Sequence, residues 1–122
     1  MILFHQQNLF ASGPCRLHVG GLSLRHELQP TPHDHGSQLS AQGRSARSIT
    51  QTGTLLADRP DQMLPLLDAI EDQLDGQAHE LMDESRRVWP GVVMLRFTPG
   101  PILAAGPRCR VDYTIDYLQV QP

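Results

Sequence analysis

The chain has 122 residues, of which 39% are hydrophobic and 19% charged, and its formal net charge is −3. This length suits one domain with one hydrophobic core. All ten basic residues are arginine, which excludes Schiff-base chemistry, a P-loop lysine and a lysine general base. The arginines form no long cluster, so we expect no non-specific nucleic-acid binding. No apolar run reaches the ~18 residues of a membrane span, and the first residues lack signal-peptide features, so we expect a cytosolic protein.

The first predicted element alternates apolar and polar residues over residues 15–28, around Gly20 and Gly21. The glycine pair is compatible with a hairpin turn between two short strands or with a bulge in one long strand. We favour the hairpin. Residues 29–43 contain two prolines, two glycines and almost no apolar side chains, which predicts a long loop. Loops of this length in small domains are often functional.

Residues 44–56 are rich in Thr, Ser and Ile, which predicts a strand that carries Ile49 and Leu55 toward the core. We expect Gly53 to interrupt it locally. An amphipathic helix is predicted over residues 61–75, capped by Asp58 or Asp61 and ended by Gly76. Its apolar face follows the i, i+3, i+4 spacing and comprises Met63, Leu66, Leu67, Ile70 and Leu74.

Beyond the helix, residues 78–83 predict a short strand and residues 84–87 a polar turn. The continuous apolar run at residues 92–97 predicts an interior strand, and the prolines and glycines of residues 98–107 predict a loop or wide turn. Residues 109–120 alternate almost perfectly, with Cys109, Val111, Tyr113, Ile115 and Tyr117 on the buried face. The fold class predicted is α+β: a mainly antiparallel β-sandwich or barrel-like sheet with one helix packed against it, in a single domain.

Candidate chemistry is sparse. His33 and His35, with His26 before them, form the only cluster of metal-ligand type, but their loop offers no rigid support. Cys15 and Cys109 are 94 positions apart without a CxxC motif, which excludes a zinc ribbon and favours free thiols over a disulfide. No GxSxG turn or nucleotide-binding glycine motif occurs, so we expect no enzymatic activity and no cofactor.

Interface residues are the more promising candidates. Arg44 and Arg47 follow the long loop, and arginine is enriched at protein interfaces because its planar fork makes several directed hydrogen bonds. We read Trp89 as a packing residue at the edge of the core and as the first aromatic to test for an interface role. The candidate interface residues are therefore Arg44, Arg47, His33, His35 and Trp89.

Several strings together resemble the small tail proteins of tailed bacteriophages. They are NLFASGPCRLHVGGLSLRHE, then GRSARSITQTGTLLAD, a helix closing in LDG, HELMDESRRVWPGVVMLRF and a terminal RVDYTIDYLQVQ. The resemblance covers most of the chain. Its motifs are an Arg-rich strand start, a glycine in TGTL, the LDG and a Tyr-rich last strand.

The resemblance implies a β-sandwich of the tail-tube or distal-tail type that assembles into rings, commonly hexameric. Strands of adjacent subunits would complete an inner barrel, and loops would contact the rings above and below. Arg44 and Arg47 would then lie near a subunit contact, and residues 29–43 would form the inter-ring loop. The partners implied are further copies of the chain and neighbouring tail proteins of the virion, without a membrane and without sequence-specific nucleic acid, around a lumen open to passing DNA.

Two further expectations follow from the residues. Open sheet edges are hazards for a lone monomer, and a ring would pair each edge with the next subunit. The polar face of the last strand, formed by Arg110, Asp112, Thr114 and Asp116, would suit a water-filled lumen. The alternative from another class is a small metal- or ligand-binding module that uses His26, His33 and His35.

Overall fold

The computed structural model describes residues 1–21, 23–25 and 44–121 of the chain. All strand pairs recorded there are antiparallel, and one helix accompanies them, which confirms the α+β prediction. In chain order the elements are β1 (Leu3–Phe4), β2 (Cys15–Val19), β3 (Ser23–Arg25), β4 (Arg44–Ala57), α1 (Pro60–Glu71), β5 (Ala78–Met82), β6 (Val88–Pro99), β7 (Leu103–Ala105) and β8 (Arg108–Gln121). None of the described helical residues belongs to a helix long and apolar enough to span a membrane.

The strands form one curled, half-barrel sheet in the order β1-β5-β6-β8-β4-β2. The longest ladder joins β4 to β8, from Ser45 opposite Gln121 to Ala57 opposite Cys109. Strand β3 extends the β2 side of β4, and β7 pairs with the start of β8. Strand β6 lies between β5 and β8, as predicted for an interior strand, although it is longer than the apolar run that identified it.

The alternation of β8 is confirmed by its burial. Val111 and Ile115 are completely buried, whereas Arg110 and Asp112 are exposed. On β4 the same face contributes Ile49 and Leu55 to the core, as predicted. Because successive side chains of a strand point to opposite faces, this one parity fixes the buried face of both long strands.

The helix covers that buried face, but it is shorter than predicted. It spans Pro60–Glu71, and Met63 and Ile70 are its fully buried residues. Tight turns in which Gln73 N–H donates to Ile70 O and Leu74 N–H to Glu71 O end it before Gly76. Leu74, predicted on the apolar helical face, is therefore 40% exposed beyond the helix end.

The capping prediction was also wrong at both ends. The N-cap residue is Arg59, which makes no side-chain capping hydrogen bond, and Asp61 lies inside the first turn instead. A carboxylate there still interacts favourably with the positive end of the helix dipole. Gly76 has φ +75°, but it turns the chain toward β5 rather than terminating the helix.

The glycine pair after β2 forms a bulge, so the favoured hairpin was wrong. Cys15 to Val19 lie opposite Gly53 to Ile49, and Ser23 then lies opposite Ala46. Four steps along β2 and β3 thus match three along β4, which leaves one extra residue. A hairpin would have paired β3 with β2, but β4 is long enough to pair with both in succession.

The expected interruption at Gly53 was wrong as well. Strand β4 runs through this glycine, which lies opposite Cys15 on one side and Tyr113 on the other. A Cβ atom at Gly53 would lie 2.6 Å from the Tyr113 hydroxyl and 2.8 Å from both Cys15 Cβ and Pro14 O. The glycine is therefore required by close packing and not by a turn.

Two other segments were read incompletely. The predicted loop at residues 98–107 contains β7, which forms a hairpin with β8 through Gly106 at φ +64°. The first ten residues, for which no element was predicted, contribute the buried Ile2, Phe4 and Phe10 to the core. In contrast, the strand predicted at residues 78–83 and the polar turn after it are confirmed.

Gly53→Ala should destabilise the fold by about 2 kcal/mol, because the added methyl group meets Cys15 and Tyr113 on the two neighbouring strands and the carbonyl oxygen of Pro14 just before β2. Chemical denaturation gives the free energy of unfolding directly. Gly21→Ala is the matched control, since a Cβ atom there meets none of the described residues within 4 Å. Equal stability of the two variants would contradict the packing role assigned to Gly53.

Candidate functional site

Two of the predicted interface residues contact each other. The guanidinium carbon of Arg47 lies 4.7 Å from the centroid of the Trp89 ring, and that of Arg87 lies 4.0 Å from it. Trp89 is only 6% exposed, so it packs at the edge of the core as predicted and presents arginines to the surface rather than its own ring. The three residues form what we call the arginine–tryptophan cluster. Cation–π contacts of this kind hold the guanidinium groups in place.

Asp83 fixes the geometry of this cluster. Its Oδ2 accepts a hydrogen bond from Trp89 Nε1 at 3.2 Å. Its Oδ1 accepts bonds from the Ser85 N–H, the Ser85 hydroxyl and the Arg87 N–H, at 2.9, 2.7 and 3.0 Å. One carboxylate therefore shapes the turn between β5 and β6 and orients the indole that carries the arginines.

The same bonds set the protonation of Asp83. Partial burial alone would raise the pKa of its carboxyl group, but the hydrogen bonds from Ser85, Arg87 and Trp89 outweigh burial and hold the pKa below its usual value. Asp83 is thus ionised at neutral pH. No ion pair joins it to Arg47 or Arg87 within 4 Å in the described part of the chain.

Beside the cluster, two buried polar atoms are without a hydrogen-bond partner. They are Nε of Arg47 and Oε1 of Gln119, whose Nε2 donates to Pro90 O at 3.0 Å. Arg47 and Gln119 lie directly opposite each other on β4 and β8. Two side-chain atoms are therefore unpaired at this point of the β4–β8 pair in the described structure, while the register of the two strands continues to Ser45 opposite Gln121.

The remaining predicted site residues relate to this region as follows. Arg44 lies three positions before Arg47 on β4, opposite Arg25 of β3. His26, His33 and His35 lie outside the described residues, so the proposed metal cluster stays a prediction. Among the residues that the structure describes, no group of three or more His, Cys, Asp or Glu side chains could hold a metal ion.

A second region, on the polar face of the sheet, is a shallow open groove of about 660 Å³. Cross-strand register places Thr98, Thr114 and Thr52 in one row across β6, β8 and β4. Thr54 Oγ1 donates to Asp112 Oδ1 at 2.8 Å, beside an exposed Arg110–Asp112 contact of 3.8 Å. The groove thus presents hydroxyl groups and weakly paired charges, which make its surface hydrophilic. Among the described residues, none of these groups lies in an environment that would activate it as a nucleophile.

Cys15 also lines this groove, and its thiol is a stronger potential nucleophile than the threonine hydroxyls around it. Burial raises the pKa of its thiol, which favours the protonated and unreactive form. Behind it runs a buried chain of hydrogen bonds, in which Gln51 Nε2 donates to the Tyr113 hydroxyl at 3.1 Å and the Tyr117 hydroxyl donates to Gln51 Oε1 at 2.7 Å. These contacts satisfy buried polar groups and so serve packing. Both cysteines are free thiols, as predicted.

A histidine pair ties the first residues to the sheet. The rings of His5 and His79 stack with centroids 3.7 Å apart. His79 Nε2 lies 3.0 Å from Asp75 Oδ2, and His5 Nδ1 lies 3.2 Å from Gln73 Oε1. The hydrogen bond to His79 also lowers the pKa of Asp75. Sequence reasoning missed this pair because its members are 74 positions apart.

Sequence reasoning also missed the roles of Asp83 and Arg87. A signal was present, since Asp83-Glu84-Ser85 has the Asp-x-Ser spacing in which a side-chain oxygen accepts the N–H two residues on. The alternation of Arg87 and Trp89 on a strand start then places both on one face.

Comparison of the chain with protein-family models, with curated proteins and with solved structures finds no match.

Asp83→Asn should lower the free energy of unfolding at neutral pH by about 2 kcal/mol, because the amide cannot accept every bond that the carboxylate accepts. A carboxyl group whose pKa is lower in the folded than in the unfolded chain stabilises the fold. This stabilisation is fully present at a pH above the unfolded pKa of about 3.9, and it is lost as the pH falls through the folded pKa. The difference between wild type and Asp83→Asn should therefore shrink below about pH 4.

Denaturation at pH 7 and at low pH measures this difference. Glu84→Gln in the same turn is the matched control, since no hydrogen bond of the Glu84 side chain is present in the described structure. A difference that stays constant down to low pH would contradict the role given to the Asp83 carboxylate.

Proposed function

We propose that this chain is a structural, ring-forming subunit of a bacteriophage or phage-like tail, as part of a tube, distal-tail ring, baseplate or neck adaptor. It would act by self-association and by contacts with adjacent tail proteins in the virion. The resemblance of its sequence strings to small tail proteins supports this proposal. So does a described structure whose notable features are packing, edges and surface charge rather than a reactive centre.

The observation that carries the proposal is the open edge of β2. Gly20 N–H donates to Ser48 O and Thr54 N–H donates to Pro14 O, so the even-numbered residues of β2 point their backbone groups at β4. The backbone N–H and C=O groups of Cys15, Leu17 and Val19 consequently point away from β4. No strand pairs with this side of β2 among the described residues.

Among the described residues, a second stretch without a paired neighbour lies toward the opposite edge of the sheet. Strand β5 pairs with β6 only as far as Val93, while β6 continues to Pro99 with β8 on its other side. A sheet with two such stretches is a template for strand addition. Copies that pair the β2 edge of one chain with the β6 edge of the next would continue the curl from subunit to subunit.

The polar face fits the same arrangement. Arg110 and Asp112 are exposed and Thr114 and Asp116 half-buried, with the threonine row beside them. A hydrophilic wall of this kind suits a water-filled lumen, and it suits a free monomer surface equally. The proposal therefore depends on the open strand edges, and the polar face of β8 is consistent with it without supporting it independently.

The test is the absolute mass of the purified protein by light scattering over a concentration series, with and without a chelator. We expect a discrete ring-sized or filament-forming species that is indifferent to the chelator, with a central hole in electron micrographs. A monomer at every concentration would contradict the proposal. A mass that changes with chelator would instead favour the metal-binding alternative on His26, His33 and His35.

Val19→Pro tests the edge itself, because proline removes an outward-pointing N–H and leaves the ladder to β4 intact. The Val19 side chain is 38% exposed, so its replacement disturbs little packing. We expect Val19→Pro to reduce self-association at least tenfold, whereas the control Val19→Thr, which keeps the N–H, should assemble like wild type. Equal assembly of both variants would exclude β2 from the contact.

A further inference from the structure

The acidic charge of the described chain is concentrated on and around the helix. Residues 58–75 contain six acidic side chains and one basic one, Arg59. Three of the six have partners, as Asp58 contacts Arg108 at 3.3 Å, Asp61 contacts Arg59 at 3.3 Å and Asp75 contacts His79 at 3.0 Å. The other three are Asp68, Glu71 and Asp72.

These three carboxylates form what we call the acidic helix face. All are exposed, and none has an ion-pair partner within 4 Å in the described structure. Asp68 lies three and four positions before Glu71 and Asp72, so the three side chains share one side of the helix. Leu64, four positions before Asp68, is 53% exposed and continues that side as an apolar contact. Such a face is charged, accessible and unpaired.

The complementary charge lies at the arginine–tryptophan cluster and at Arg86, the neighbour of Arg87 in the sequence. Arg86 and Arg87 are exposed, and no carboxylate lies within 4 Å of them or of Arg47 in the described structure. Two acidic residues, Asp83 and Glu84, lie in the same turn. The oxygens of Asp83 are occupied by Ser85, Trp89 and the backbone of Arg87, and Glu84 makes no ion pair within 4 Å in the described structure. Arg25, the last residue of β3, lies opposite Arg44, the first residue of β4, three positions before Arg47.

We infer that the acidic helix face of one copy of this chain docks on the arginine–tryptophan cluster of the next. The inference rests on the proposed self-association and names the charged surfaces that direct it. No ion pair joins the two surfaces in the described part of the chain, so each offers charge that a second copy would neutralise. Stacking on Trp89 holds Arg47 and Arg87 in place, which lowers the entropy lost when a carboxylate binds them.

Two different surfaces on one chain permit a head-to-tail contact, in which each copy uses one surface for each of its two neighbours. Such a contact repeats from copy to copy and either closes into a ring or grows into a filament. A pairing of identical surfaces would instead stop at a dimer. Nucleic acid is a less suitable partner for the arginine–tryptophan cluster. The net charge of the chain is −3, and the acidic helix face of the same small molecule would repel the phosphates.

Charge exchange tests the contact. Arg86→Glu with Arg87→Glu reverses one surface, and Asp68→Arg with Glu71→Arg reverses the other. Each double variant alone should weaken self-association at least tenfold in light scattering, while the chain that carries all four substitutions should recover assembly, because its reversed surfaces attract each other again. Assembly of wild type should weaken as NaCl rises from about 50 to 500 mM, since salt screens exposed charges.

Arg108→Glu with Arg110→Glu is the matched control, with the same change of charge outside both surfaces. It removes only the exposed contacts to Asp58 and Asp112, which contribute little stability, so it should assemble like wild type. Circular dichroism of each variant verifies folding. If wild type assembles and the four-substitution chain stays as weak as the double variants, or if the double variants assemble normally, the charge contact is wrong and self-association stands. A monomeric wild type overturns both proposals. Binding of duplex DNA that Arg86→Glu with Arg87→Glu abolishes, without any change of mass, would overturn the contact in favour of nucleic acid.

Discussion

The pairing of β4 with β8 is the interaction on which the rest of this structure depends. It runs the full length of both strands, and every other sheet contact of the two central strands is set by its register. A shift by one residue would turn Val111, Tyr113 and Ile115 to solvent and Arg110 and Asp112 into the core. The same register brings Arg47 opposite Gln119 and so places the arginine near Trp89. The composition of the core, the polar face of β8 and the position of Arg47 in the arginine–tryptophan cluster therefore all follow from the register of this one ladder.

Local pattern was sufficient where one element decides its own burial. The period of two in β8 and the i, i+3, i+4 spacing around Met63 and Ile70 are signals of single elements, and both were read correctly in kind. The sequence pattern did not predict the structure where the conformation of a segment depends on the strand with which it pairs. The glycine pair at Gly20 and Gly21 carries no sign of which strand its neighbours will join, and β4 is long enough to accept two in succession. Gly53 looks like a strand breaker, and only its distance to Tyr113 reveals a packing requirement.

The candidate site shows the same division. Arg47 and Trp89 were selected separately by residue type, 42 positions apart, and nothing local indicates that they touch. Asp83 and Arg87 looked like parts of an ordinary polar turn, because a hydrogen bond to an indole six positions away depends on how the following strand is twisted. A contact of this kind between sequence-distant groups is fixed by tertiary packing, which composition and spacing do not contain. The histidine-rich segment lies outside the described residues, so its role stays a prediction.

Edge pairing and charge pairing make different demands on an assembly. Backbone hydrogen bonds along β2 would fix the distance and direction of a neighbour, but any open strand can accept them, so they supply little selectivity. Charge does the opposite, because exposed ion pairs add little affinity and yet make wrong pairings unfavourable. A chain with an open edge and two unbalanced charged surfaces combines both. The edge alone would permit identical strands to meet in either direction, whereas docking of the acidic helix face on the arginine–tryptophan cluster of the next copy would favour a head-to-tail order, the order in which a ring is built.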